Sequence, residues 1–178
     1  MRTHTPKVRV PRRTAGFTLL EVLIASSILA FATLGLVQAV TAGQAQTFDA
    51  LRRARATALA DALLEEVLAK PYADPEGATT LGPDSGESDR DEFDNLDDYH
   101  GFAEAVGALA DHAGTVYPTA YQRYERSVTV QQKTVTIAAL GGDRVGMRVT
   151  VTVTEPATAV GGTDGRSWTV TRFVPETP

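Results

Sequence analysis

The sequence predicts an α+β chain: a long N-terminal helix, half membrane-spanning and half amphipathic, packed on a C-terminal antiparallel sheet of about four strands. Three observations predict it. Residues 17–40 form an almost unbroken apolar run. A stretch free of helix breakers follows, from Gln44 to Lys70. Beyond Arg123 the period changes to two, and Val149, Val151 and Val153 alternate with Thr150, Thr152 and Thr154.

The chain has 178 residues, enough for one domain plus an anchor and too few for two domains with separate cores. Its apolar (43%) and charged (22%) fractions are those of a folded chain. The net charge of −5 conceals two unequal parts. Arg2, Lys7, Arg9, Arg12 and Arg13 precede Gly16 with no acid among them, whereas the remaining 12 basic residues face 22 acidic ones. A downstream part this acidic speaks against nucleic acid as a partner. The absence of Cys rules out disulfides, thiolate metal sites and Cys nucleophiles.

The apolar run reads FTLLEVLIASSILAFATLGLVQAV, with Glu21 and Gln38 its strongly polar members. As helix it spans about 36 Å, enough for a bilayer core of about 30 Å. The basic block before it is expected to stay in the cytoplasm, which sends the C-terminal part outward. Two general readings fit such a run. A secretory signal peptide would be cut near Val40-Thr41-Ala42, but the run is longer than the usual h-region and carries an acid. A plain single-pass anchor, holding an extracytoplasmic binding domain, leaves Glu21 unexplained. An acid at mid-membrane costs on the order of 3 kcal/mol, so such residues are functional by default.

A third reading accounts for the acid. Arg12-Arg13-Thr14-Ala15-Gly16-Phe17-Thr18-Leu19-Leu20-Glu21-Val22-Leu23-Ile24 resembles the prepilin processing motif of type IV pilins and type II secretion pseudopilins. The resemblance implies that a prepilin peptidase cuts between Gly16 and Phe17 and N-methylates Phe17. It implies that Glu21 then meets the new Phe17 amine of a neighbouring subunit. An opposite charge about 4 Å away returns energy comparable to the cost of placing the acid there. The implied protein is a structural subunit, a minor pilin or pseudopilin. Its implied partners are the peptidase/N-methyltransferase, other pilin or pseudopilin subunits, an inner-membrane assembly platform and, before assembly, membrane lipid. Many family members carry a Pro in the anchor helix where this chain has Gln38; Gly35 and Gly43 are its candidate flexible points.

On this reading the chain divides into a basic leader (1–16), a transmembrane or filament-core helix (17–43), an amphipathic continuation (44–71), an acidic Gly/Pro-rich connection (72–122) and a sheet head (123–178). In the continuation, Leu59, Leu63 and Val67 recur at helical spacing, with Asp61, Glu65 and Glu66 expected on the opposite side. Pro71 ends the helix. Arg52, Arg53 and Arg55 are expected to form a solvated or intersubunit face.

In the acidic connection, Phe93, Leu96, Tyr99 and Phe102 recur every third residue, the spacing of a short helical turn or of a loop anchored by aromatics. This stretch also resembles one in some MSHA-type minor pilins. The carboxylates around it, Asp91, Asp94, Asp97 and Asp98 with Asn95, invite a calcium hypothesis, since calcium takes six to eight oxygen ligands. Their spacing is not that of an EF-hand loop, and a solvated acidic loop with aromatic anchors is the preferred reading of the composition. No cofactor is otherwise implied. His4, His100 and His112 are scattered, and no HExxH, GxSxG or Walker pattern occurs, so no enzymatic chemistry is expected.

The β-rich runs are RSVTVQQ, TVTIAAL, RVGMRVTVTVTEP and RSWTVTRFVP. Gly141-Gly142-Asp143 is read as a tight turn and Gly161 to Gly165 as a looser one. Trp168 and Phe173 are expected to pack on the sheet.

Overall fold

A computed structural model describes residues 16–75, 77, 80–138, 141–157 and 165–176. The leader up to Ala15 and most of the Gly161 to Gly165 turn lie outside the described residues. One helix, α1 (Leu19–Leu68), is followed by a 3-10 turn at Asp97–Tyr99 and four strands. These are β1 (Ala103–Glu104), β2 (Glu125–Ile137), β3 (Gly142–Glu155) and β4 (Arg166–Pro175). They form one antiparallel sheet in the order β1-β2-β3-β4. The predicted α+β class, with its long helix and four-stranded sheet, is the one observed.

The chain divides after Thr47 into two units. In the first, α1 is apolar on every side and exposed throughout. Such a helix has no core face of its own to bury. In the second, α1 has a one-sided apolar stripe. Ala56, Leu59, Ala60, Leu63, Leu64 and Val67 are buried, against Val128, Val130, Met147, Val149, Val151 and Val153 of the sheet. Each Leu or Val side chain so buried contributes about 1.5–3 kcal/mol. The helix ends where Pro71, lacking an N–H, cannot continue it. The Pro71 carbonyl instead accepts the Leu96 N–H at 2.9 Å and ties the following loop to the helix end.

The strands alternate as the Val/Thr pattern requires. Val149, Val151 and Val153 point into the core. On the outer face Thr150, Thr152 and Thr154 meet Thr171, Thr169 and Ser167 of β4 through hydroxyl contacts of 3.3, 3.4 and 3.2 Å. Trp168 lies on the inner face, edge-on to Tyr124 at 6.2 Å between ring centroids.

Three details differ from the sequence expectation. The runs RSVTVQQ and TVTIAAL are one strand, because Lys133 pairs across with Gly146 and the ladder never breaks. The fourth strand is β1, drawn from the acidic connection rather than from the C-terminal runs. The β2–β3 turn precedes Asp143, which pairs with Thr136 inside the ladder. Gly141 and Gly142 adopt φ of 79° and 141°, so the turn uses residues without a Cβ where left-handed backbone is needed.

Candidate functional site

Two groups of polar side chains expected from the sequence acquire a geometry, and a third group was not anticipated. The first surrounds the start of α1. Phe17 is 86% exposed, and among the described residues nothing lies within 4 Å of a Cβ placed on Gly16. Thr18 precedes the first helical residue and Glu21 lies three positions on. The Thr18 N–H donates to Glu21 Oε2 at 2.8 Å, its hydroxyl donates to the same oxygen at 3.0 Å, and the Glu21 N–H donates to the hydroxyl at 3.2 Å. This is a reciprocal capping box. The Thr-x-x-Glu spacing at 18–21 is the sequence signal for this capping role, which is additional to the assembly role that the resemblance implies for Glu21.

Further along, the helix satisfies its own polar groups. The hydroxyls of Ser26, Ser27, Thr33 and Thr41 donate to the carbonyls of Val22, Leu23, Leu29 and Val37 at 2.7–2.9 Å. In hydrocarbon, where water cannot serve them, this removes the cost of an unpaired hydroxyl. By length and composition α1 is able to cross a membrane; its most apolar window has a mean hydropathy of 2.1.

The second group is in the acidic loop. Phe93, Tyr99 and Phe102 pack edge to face with centroids 5.1–6.2 Å apart, and Leu96 is buried beside them. These aromatics pin the loop, as their spacing predicted. The candidate ligands do not all converge. Asp94 and Asp98 come together with Glu87, which the sequence reading missed, and one carboxylate oxygen from each lies within 4.8 Å of the others. Asn95 turns its Oδ1 to the N–H groups of Asp97 and Asp98 at 2.7 and 3.3 Å, so it serves the turn. Asp97 is outside this grouping, and Asp91 is exposed.

Like charges dominate here. Burial, then the Asp98 charge, holds the Asp97 carboxyl above the usual range. Burial and the Asp74 carboxylate do the same to Asp84. The Asp84 N–H pulls Glu87 down, but burial and the charges of Asp98 and Asp94 outweigh it and raise Glu87.

The third group is a buried ionic network between α1 and the sheet. Arg126 is fully buried, its Nε paired with Glu104 and its guanidinium donating to the Ala110 carbonyl. Arg90 donates from Nε to Glu66 Oε1 at 2.7 Å, and from Nη1 to Glu104 Oε1 at 3.2 Å and to the Ala110 carbonyl at 3.0 Å. The Tyr99 hydroxyl donates to Glu66 Oε1 at 2.8 Å. Glu66 therefore faces this network rather than the solvated side of α1 expected for it. No short-range spacing announced this, because Glu66, Arg90, Glu104 and Arg126 are far apart in sequence. Arg52 and Arg55 are also engaged. Arg52 approaches Glu155 at 3.9 Å, and the Arg55 guanidinium lies 6.0 Å from the Tyr121 ring centre.

Comparison with known proteins bears on the first group. The model of the prokaryotic N-terminal methylation motif matches residues 11–37. Neither a curated protein nor a solved structure matches the chain. The matched segment contains Gly16, Phe17, Thr18 and Glu21 and the first part of the exposed apolar helix. The chain thus carries the N-terminal methylation motif that marks type IV pilin-like and pseudopilin precursors.

Proposed function

We propose that this chain is a minor pilin or pseudopilin. It is made as an inner-membrane precursor, cut between Gly16 and Phe17, methylated on Phe17, and assembled into or used to prime a type IV pilus or a type II secretion pseudopilus. The observation that carries this reading is the apolar N-terminal part of α1, exposed from Leu19 to Thr47, that starts just after the matched Gly-Phe junction. A helix apolar on every side needs lipid first and other helices later. The cut removes the basic leader and leaves a cationic amine at Phe17, near the Glu21 carboxylate of a neighbouring subunit. The leader stays cytoplasmic and the sheet-bearing unit is exported, as the charge asymmetry favours. The aligned subunits, the peptidase and the assembly platform are its partners.

The mass of the mature N-terminal peptide tests this. N-methyl-Phe17 is the expected start. An intact Met1 would indicate a single-pass membrane-anchored binding protein, and a start at Gly43 a secreted one; either overturns the reading.

A further inference from the structure

The acidic loop between α1 and β1 holds three carboxylates in an arrangement that protein groups leave unfinished. Asp98 is 1% exposed. Its Oδ2 accepts the N–H groups of Asp94 and Asn95, both at 2.9 Å, which fixes the carboxylate plane. Its Oδ1 is buried and has no hydrogen-bond partner, and the same holds for Asp94 Oδ1. Glu87 completes the group, its Oε2 anchored by the Asp84 N–H at 2.9 Å. A buried carboxylate oxygen without a donor is costly, and three carboxylates this close repel one another.

We propose that Glu87, Asp94 and Asp98 bind one calcium ion that fastens the loop to the rest of the head. Three arguments favour this ion. Calcium–oxygen distances of about 2.3–2.6 Å put two ligands of one ion no more than about 5 Å apart, and the three oxygens lie within 4.8 Å of one another. The donor set is all oxygen, which suits a hard cation and not zinc or copper. The scaffold around the carboxylates is built: Asn95 Oδ1 accepts the Asp97 N–H at the start of the Asp97–Tyr99 turn, and the loop is held to β2 by the Gly101 N–H on the Val128 carbonyl at 3.1 Å and the Val130 N–H on His100 Nδ1 at 3.2 Å. The remaining coordination positions fall to water or backbone carbonyls. The ligand set differs from the one the sequence offered, because Asn95 is committed to the turn and Glu87 replaces it. The proposal does not depend on which filament, if any, the chain joins.

The test is thermal unfolding of the full chain in detergent micelles with 5 mM calcium chloride, 5 mM magnesium chloride, or EGTA. Calcium is expected to raise the midpoint by about 5 °C or more over EGTA, and magnesium by much less. Glu87→Gln and Asp98→Asn are expected to lose most of the calcium shift, while Asp91→Asn keeps it. In EGTA, Glu87→Gln is expected to match or exceed the native chain, because one repelling charge is gone. Glu87 is partly exposed, so this variant retains its fold even if Asp98→Asn does not. Equal shifts with calcium and magnesium, no calcium shift, or a full shift in Glu87→Gln would each overturn the site.

Discussion

Glu21 Oε2 accepts both the backbone N–H and the hydroxyl of Thr18, at 2.8 and 3.0 Å, and so closes the first turn of α1 within a single subunit. The acid thus has a partner before any neighbouring subunit arrives. Its further lone pairs leave it able to accept from a second cation as well. Thr18→Ala removes the hydroxyl that both donates to Glu21 and accepts from its N–H. Amide exchange at Leu20 and Glu21 in micelles is expected to quicken roughly fivefold, the usual scale for a lost cap. Unchanged exchange would mean that the box does not hold in lipid-like surroundings.

Under the proposed function, Glu21→Ala is expected to separate processing from assembly. The Gly16–Phe17 peptide lies outside the capping bonds, so cleavage is expected to proceed. Incorporation into filaments is expected to fall, since the Phe17 amine of the next subunit loses its counter-charge. Shearing filaments from cells and blotting the sheared and cell-bound fractions reads both steps. Normal incorporation would contradict the role given to Glu21.

The local patterns were legible because they depend on neighbours in sequence. The apolar run, the Leu59–Leu63–Val67 stripe, the Val/Thr alternation of β3 and the aromatic triplet spacing each reflect a helix or strand period. What was not legible depends on distant pairing. Glu104 reads as one acid among many until β1 pairs with β2 opposite Arg126. Lys133 reads as a break until Gly146 sits across from it. The grouping of carboxylates in the acidic loop was legible only in part for the same reason. Asp94 and Asp98 share one turn, but Glu87 reaches them only through the fold of the loop.

Arg126 illustrates the energetic weight of such distant pairs. Its side chain is fully buried, and Glu104, which it pairs with, is about one-tenth exposed. Removing the cation leaves the Ala110 carbonyl without one of its donors and Glu104 only partly neutralised by Arg90. Arg126→Met is expected to destabilise the head by about 3 kcal/mol. Combining it with Glu104→Gln is expected to cost less than the sum of the two changes, because the stranded charge is gone. Urea midpoints of the four proteins measure this; strict additivity would refute the pairing.

Gly146 answers a different demand. It lies inside β3 with no turn to make, yet a Cβ there would collide with the Val174 carbonyl oxygen and meet the Phe173 ring at 2.7 Å and Pro175 Cα at 2.8 Å. The gap lets Phe173 of β4 lie against the β3 backbone. Gly146→Ala is expected to cost about 1–3 kcal/mol by overpacking, read as a lowered urea midpoint. Phe173→Ala added to it is not expected to restore the midpoint, because the clashes with the Val174 carbonyl and Pro175 Cα are with backbone and remain.

Glu66 gives the head a dependence on pH with a definite sign. Burial alone would raise its carboxyl, but the Arg90 and Tyr99 hydrogen bonds and the charges of Arg90 and Arg126 outweigh burial and hold it below the ordinary value of 4.5. Between that lowered value and 4.5 the unfolded chain binds the proton more readily than the folded one. The stabilisation from Glu66 is therefore complete above pH 4.5 and is lost as pH falls through the folded value. Replacing Glu66 with Gln removes the titrating group and leaves the shape. The gap in melting temperature between the native chain and Glu66→Gln is expected to be constant from pH 7 to about 5 and to shrink below 4.5. Acidic residues elsewhere titrate equally in both proteins and cancel in the difference. A gap that persists unchanged to pH 3 would show that the Arg90 pairing does not hold the carboxyl low.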